Sequence, residues 1–216
     1  MRDSATAAKT TYIDLIRHGE PEGGVKFRGS LDDPLSNLGW SQMESAIAST
    51  DQWDVVVASP LKRCRAFAEH VASTNDLPCH IEPELREISF GEWEGKTADV
   101  IEKESGDLIR QFWADPLNNT PPGAEPLTRF QTRVISGWNR WLDNLEGKRV
   151  LMVCHGGTIR MILAEVLGIP LEKSFAGVAI PFACRSRIRI DQTEYGRFSA
   201  MVSHSPLINT PSPSMS

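Results

Sequence analysis

An α/β fold, a three-layer α/β/α sandwich around a mostly parallel central sheet, is what this 216-residue sequence predicts. Three observations carry that prediction. Strand-like and helix-like segments alternate almost from end to end, the pattern of a sheet built with crossover helices. The strand-like runs are continuously apolar, as in Val55-Val56-Val57 and Val150-Leu151-Met152-Val153-Cys154, which fits strands covered on both faces. Two such runs end in His-Gly pairs, Arg17-His18-Gly19-Glu20 and His155-Gly156-Gly157, at the strand ends where open α/β sheets bind ligands.

Taken in order, Tyr12–Ile16 is the first buried strand. A loop rich in Gly and Pro follows, through Gly23-Gly24 and Asp32-Asp33-Pro34, and Ser36-Asn37-Leu38-Gly39 leads into a helix at about 40–49. Residues Trp53–Ala58 form the second strand. Ser59-Pro60 then opens a helix, with serine as N-cap and proline at the first helical position. Its apolar residues Leu61, Cys64, Phe67, Ala68 and Val71 recur at helical spacing. A short strand at Cys79–Ile81 precedes a less regular middle, residues 84–125, with one or two helices. After Thr120-Pro121-Pro122-Gly123 comes a long helix whose stripe is Leu127, Phe130, Val134, Trp138, Trp141 and Leu145. Arg149–Cys154 is the next strand, Thr158–Leu167 a helix stopped at Gly168-Ile169-Pro170, and two strands fill 176–202. The expected organisation is a flexible N-terminus at 1–10, one domain at 11–203 and a disordered Pro- and Ser-containing tail at 204–216.

Composition narrows the function classes. Hydrophobic residues make up 40% and charged residues 24%, a globular balance. The formal net charge of −5 leaves no global basic field for nucleic acid, so attraction for an anion must come from a local arginine cluster. No apolar run approaches a membrane span, and residues 1–10 lack the apolar region of a signal peptide. Four cysteines without a C-x-x-C pair read as buried free thiols, which points to a reducing cytoplasm. Oligomeric state stays open, a homodimer included.

The chemistry-bearing residues point to phosphoryl groups. Breaking a phosphate ester needs a nucleophile, charge stabilisation and a proton for the leaving oxygen. His18 suits the first role, since an imidazole with a pKa of about 6.5 is largely neutral near pH 7. Arg17 beside it offers a guanidinium fork. The glycines after His155 let backbone approach a ligand at a helix N-terminus, where free N–H groups favour an anion. Arg63 sits in the first turn of its helix, against the helix dipole, either as part of a solvated positive face with Lys62 or leaning onto the same phosphate.

Leu15-Ile16-Arg17-His18-Gly19-Glu20, Ser59-Pro60-Leu61-Lys62-Arg63, Glu87 ahead of Phe90-Gly91-Glu92-Trp93-Glu94-Gly95, and His155-Gly156-Gly157 together resemble the histidine phosphatase superfamily, the group of phosphoglycerate mutase-like folds. The resemblance implies a metal-independent phosphomonoesterase acting on a small phosphorylated metabolite, with no cofactor. It implies His18 as the nucleophile that becomes a phosphohistidine. Arg17, Arg63 and His155 would bind the phosphoryl oxygens, with the Gly156 backbone beside them, and Glu87 would be the general acid and base. Glu84, Glu92 and Glu94 are rivals for that last role. The segment Phe27-Arg28-Gly29-Ser30-Leu31-Asp32-Asp33-Pro34-Leu35-Ser36 resembles the small phosphatase branch of α-ribazole phosphatase-like proteins. Arg28 is there either a further phosphate contact or a surface arginine. Pro122-Gly123-Ala124-Glu125-Pro126 departs from the family's usual Gly-Glu-Ser stretch, which puts substrate contacts at Glu125 in doubt. Two other readings remain. One is a phosphoglycerate mutase-type phosphotransferase, disfavoured because the segment between Glu87 and His155 has no length to spare. The other is a non-catalytic phospholigand-binding protein, which would be expected to have lost one of the five residues kept here.

Overall fold

The computed structural model describes residues 9–205 apart from position 176. Six strands form one sheet: β1 (Lys9–Arg17), β2 (Val55–Ala58), β3 (Cys79–Ile81), β4 (Arg149–Cys154), β5 (Arg185–Thr193) and β6 (Gly196–Ser205), in the order β3-β2-β4-β1-β5-β6. The first four in that order run parallel, while β5 pairs antiparallel with β1 and β6 antiparallel with β5. The mostly parallel sheet expected from the sequence is therefore present, with a two-stranded antiparallel edge.

Residues 1–8 and 206–216, where the flexible N-terminus and the disordered tail were expected, lie outside the described residues. Lys9 and Thr10 already belong to β1, and His204 and Ser205 still belong to β6.

Strand alternation sorts the core into two layers. Ile13 and Leu15 of β1, Val57 of β2 and Met152 of β4 pack under α5 (Leu127–Asn144) and α6 (Gly156–Leu167). Ile16, Val56 and Val153 point the other way, onto α1 (Asn37–Ser45) and α2 (Lys62–Thr74). The stripe read along 127–145 is the buried face of α5, although Leu145 itself is the cap residue. The irregular middle holds two short helices, α3 (Ala98–Ser105) and α4 (Leu108–Ala114), which close a third apolar cluster with Trp93. Gly168 ends α6 in the left-handed conformation, φ 66°, which glycine adopts without a Cβ penalty.

Two boundaries differ from the sequence reading for a physical reason. Helix α1 begins at Asn37, because the Ser36 side chain accepts from the Gly39 N–H. Ser59-Pro60 does not open α2. The helix starts at Lys62, and its first N–H donates to Asp32 Oδ1 at 2.6 Å, so a loop carboxylate thirty residues upstream replaces the expected serine cap.

A buried charge interrupts the apolar strand β1. Asp14 accepts from Trp53 Nε1 (2.8 Å), Arg185 Nη2 (2.7 Å) and the Arg187 guanidinium (2.8 and 2.9 Å). Burial by itself would raise its pKa; hydrogen bonds from Arg187, Arg185 and Trp53 outweigh that and hold it below the usual carboxylate range. The four cysteines are free, with Cys64, Cys154 and Cys184 buried and Cys79 half-buried. No helix among the described residues is long and apolar enough to cross a membrane.

Candidate active site

Parallel strands bring their carboxyl ends to one edge, and the two candidate histidines sit there. His18 directly succeeds β1, and its N–H donates to Cys154 O at 3.0 Å, so the end of β1 is locked to the end of β4. His155 is the N-cap residue of α6, one position after β4. Arg63 lies in the first turn of α2, and Glu87 follows the short 3₁₀ turn Pro83–Leu85. A cleft of about 270 Å³ opens between them. Arg17, His18, Arg63, Glu87 and Gly156 all line it, and so does Arg28.

The His18 ring is oriented from one side. Its Nδ1 is 2.7 Å from Gly19 O, a contact only an Nδ1–H can make, which leaves Nε2 as the bare lone pair. Arg63 Nε donates to that Nε2 at 3.3 Å, consistent with the same tautomer. Burial first, then the Arg63 and Arg17 charges, push the pKa of His18 well below the usual histidine value, so the ring is neutral at pH 7.

Arg63 is buried, and its orientation is set by the 23–34 loop: Nη1 donates to Leu31 O (2.5 Å) and Nη2 to Gly29 O (2.9 Å). Arg17 donates from Nη1 to Ile180 O at 2.6 Å and lies 4.2 Å over the Phe182 ring, while its buried Nε has no hydrogen-bond partner among the described residues. Burial, offset by Glu87 and deepened by the Arg160 and Arg63 charges, brings the Arg17 pKa down to about 10; it remains a cation at neutral pH.

Glu87 separates from its rivals by position. Oε2 accepts from the Gly157 N–H and Oε1 from its neighbour's N–H at Ile88, each at 3.1 Å. A Cβ on residue 157 would collide with Glu87 Oε1, so this approach of a carboxylate to the start of α6 requires glycine there. Glu94 instead knots a turn together, accepting from Ser30, Ser89 Oγ and Phe90 N. Glu92 is exposed, and the Glu84 side chain packs near Gly137.

His155 is fully buried, its ring centroid 5.2 Å from that of His18. Its Nε2 is 2.7 Å from Ser59 Oγ, and Cys64 Sγ lies against the ring. Ser59, expected as a helix cap, is thus the partner of the second histidine. Burial and then the Arg63 charge hold His155 well below its usual pKa as well. Arg28 is not a surface arginine. It is 7% exposed and lines the cleft, yet Nε is committed to Asp33 (3.0 Å) and Nη2 to Glu22 O and Gly24 O (2.6 Å each), so it shapes the loop.

Sequence reasoning missed two arginines. Arg160 of α6 lines the cleft with a buried Nε that has no partner among the described residues, and the charge that acts on it is Glu87. Its signal was its place one helical turn after Gly156. Arg133 of α5 grips the loop that carries Glu87, donating to the carbonyls of Glu84 (2.8 Å), Arg86 (2.9 Å) and Glu87 (2.9 Å), and forks onto Glu125 at 2.7 and 2.8 Å. Glu125 is therefore spent on Arg133 and not among the cleft-lining residues.

A neutral imidazole ringed by guanidinium groups, on an α/β sheet edge, is built for a phosphoryl group, and fold and relatives together define a phosphoric monoester hydrolase. The sequence model of the histidine phosphatase superfamily (branch 1) matches residues 13–202, and the chain belongs to that superfamily. Among its relatives, the adenosylcobalamin/alpha-ribazole phosphatase of Escherichia coli is 28% identical over 182 residues, covering 82% of this chain and 89% of the relative. The protein of the same name from Salmonella typhimurium is 30% identical over 164 residues, covering 72% and 79%. Among solved structures, Bacillus stearothermophilus YhfR superposes with a TM-score of 0.80 at 25% identity, covering 91% of this chain and 98% of that one.

Proposed function

We propose that the protein is a metal-independent phosphomonoesterase that hydrolyses a small phosphorylated metabolite through a phosphohistidine on His18. The observation that carries this reading is the His18 tautomer: Nδ1–H is spent on Gly19 O, and the Nε2 lone pair is in the cleft wall beside Arg63. In the first step Nε2 attacks phosphorus and the P–O ester bond breaks. Glu87 delivers a proton to the departing alkoxide. In the second step Glu87, now a carboxylate, takes a proton from water as that water attacks the phosphohistidine, releasing inorganic phosphate and regenerating neutral His18. Arg17 and Arg63 carry the positive charge that the equatorial oxygens need, and the Gly156 N–H lies at a helix start beside them. His155 is not among the cleft-lining residues; fully buried, with its Nε2 on Ser59 Oγ, it backs the His18 ring from behind. The relatives named adenosylcobalamin/alpha-ribazole phosphatase support a phosphate monoester as substrate class.

His18→Ala is expected to abolish turnover of p-nitrophenyl phosphate and to remove acid-labile phosphate from the denatured, substrate-quenched protein. Full activity in that variant would sink the assignment. Phosphorus NMR with 3-phosphoglycerate separates release of inorganic phosphate, the expected result, from transfer between hydroxyls.

A further inference from the structure

The cleft has a second half that the phosphoryl chemistry does not use. Beyond the arginines its wall is Val25, Phe27, Phe90, Trp113, Phe175 and Phe182. Trp113 is the telling member. It stands on α4 with 49% of its surface exposed, its ring 6.4 Å from Phe27 and 6.1 Å from Phe175, with the buried Phe112 ring 5.0 Å away. A half-exposed tryptophan braced by phenylalanines at the mouth of a site is a ready stacking face.

The polar side of the inventory points the same way. No Ser, Thr, Asn, Gln or Asp side chain lines the cleft among the described residues. Lys26 and Arg28, which do line it, are engaged by Asp33 at 2.9 and 3.0 Å. A polyhydroxylated leaving group would bring several hydroxyls into this wall and find few free partners beyond Glu87 and Arg160, and buried hydroxyls without partners are costly. A flat apolar group would meet no such penalty.

Building on the phosphomonoesterase reading, we propose that this wall is a leaving-group subsite for an aromatic or fused-ring substituent. Trp113 is its stacking face, and the subsite selects such phosphate esters against polyol phosphates.

Binding of non-hydrolysable phosphonates to the full chain tests this without relying on turnover. Benzylphosphonate and 2,3-dihydroxypropylphosphonate share the anionic head and differ in the group that would enter the subsite. By isothermal titration the benzyl compound should bind about tenfold more tightly, the scale of one good aromatic contact plus its burial. In Trp113→Ala that ratio should fall below about threefold. Equal affinities in the unaltered protein, or an undiminished ratio in the variant, would overturn the subsite. Should the variant fail to fold, the ratio in the unaltered protein still decides. A clear benzyl preference in a protein that hydrolyses neither benzyl phosphate nor glycerol 1-phosphate would keep the subsite and overturn the phosphatase reading instead.

Discussion

Glu87 shows how much one residue's surroundings decide. Four acids crowd the stretch 84–94, and sequence alone ranks them only by distance from the Phe90-Gly91 turn. In the structure just one of them lines the cleft, because Gly157 lets it in. Its proposed work is to protonate a departing alkoxide, so its removal should matter in proportion to how badly the leaving group needs a proton. Glu87→Gln should cost about 10²–10⁴ in kcat for an alkyl phosphate such as benzyl phosphate. The loss should be much smaller with p-nitrophenyl phosphate, whose anion is stable unprotonated. Equal losses on both substrates, measured at matched pH, would assign Glu87 a structural role. At this scale type and strand-end position pointed to Arg17, His18 and His155, whereas Arg63, in a helix's first turn, and Glu87, among rival acids, stood out chiefly through the family resemblance. Ser59 was misread because Ser-Pro before an apolar helical stripe is a sound cap signal; nothing local reveals that its hydroxyl is claimed by a histidine ninety-six positions later.

Among the elements, α5 does more than cover the sheet. Its apolar stripe fixes it against β1 and β4, and one residue on its flank, Arg133, reaches three carbonyls of the 84–87 loop while Glu125 locks the guanidinium fork. Such a fork cannot be reproduced by lysine, which offers a point charge instead. Arg133→Ala should lower kcat for benzyl phosphate by about 10- to 100-fold, a modest misplacement cost. KM should change little, and p-nitrophenyl phosphate should be affected less. Arg133→Lys should recover only a minor part. Adding Arg133→Ala to Glu87→Gln should then cost far less than the product of the two single effects, because both act through one proton transfer. Full additivity on both substrates would show that Arg133 matters only for stability. Contacts of this kind were illegible beforehand: Arg133 and Glu87 are forty-six residues apart, and an arginine on the polar flank of an amphipathic helix looks like any solvated residue. The helices and strands themselves were legible from periodicity, because the parallel strands are buried on both faces. The short α3 and α4 were blurred, since seven or eight residues carry too few turns to show a period, and the last two strands were set too early, β5 beginning only at Arg185 and β6 running on to Ser205.

For the whole molecule, two buried neutral histidines make stability depend on pH. His18 and His155 both have folded pKa values held below the ordinary value of about 6.5. Between that value and the lower folded ones the unfolded chain binds more protons, so the folded state is at full advantage above pH 6.5 and loses ground as pH falls. The slope approaches about 1.4 kcal/mol per pH unit for each histidine. Urea unfolding free energies should therefore decline from pH 7 to pH 5, before Asp14, Asp51 and Glu82, whose folded pKa values are lowered, begin to protonate. His18→Asn should flatten part of that decline. A constant unfolding free energy across pH 5–7 would contradict it.

The mounting of Arg63 also bears on how this scaffold is able to diversify. Leu31 and Gly29 aim its guanidinium, and Asp32, directly after Leu31, caps the helix that carries it. A loop exchange across 23–34, the obvious way to graft a new specificity, would re-aim a charge that faces His18 and so forfeit rate along with preference. The aromatic wall from α4 and Phe175 carries no such obligation. New substrates would be reached most cheaply by resurfacing that wall, so natural variation and laboratory selection alike should concentrate there and leave the Gly29–Asp32 carbonyls and cap untouched.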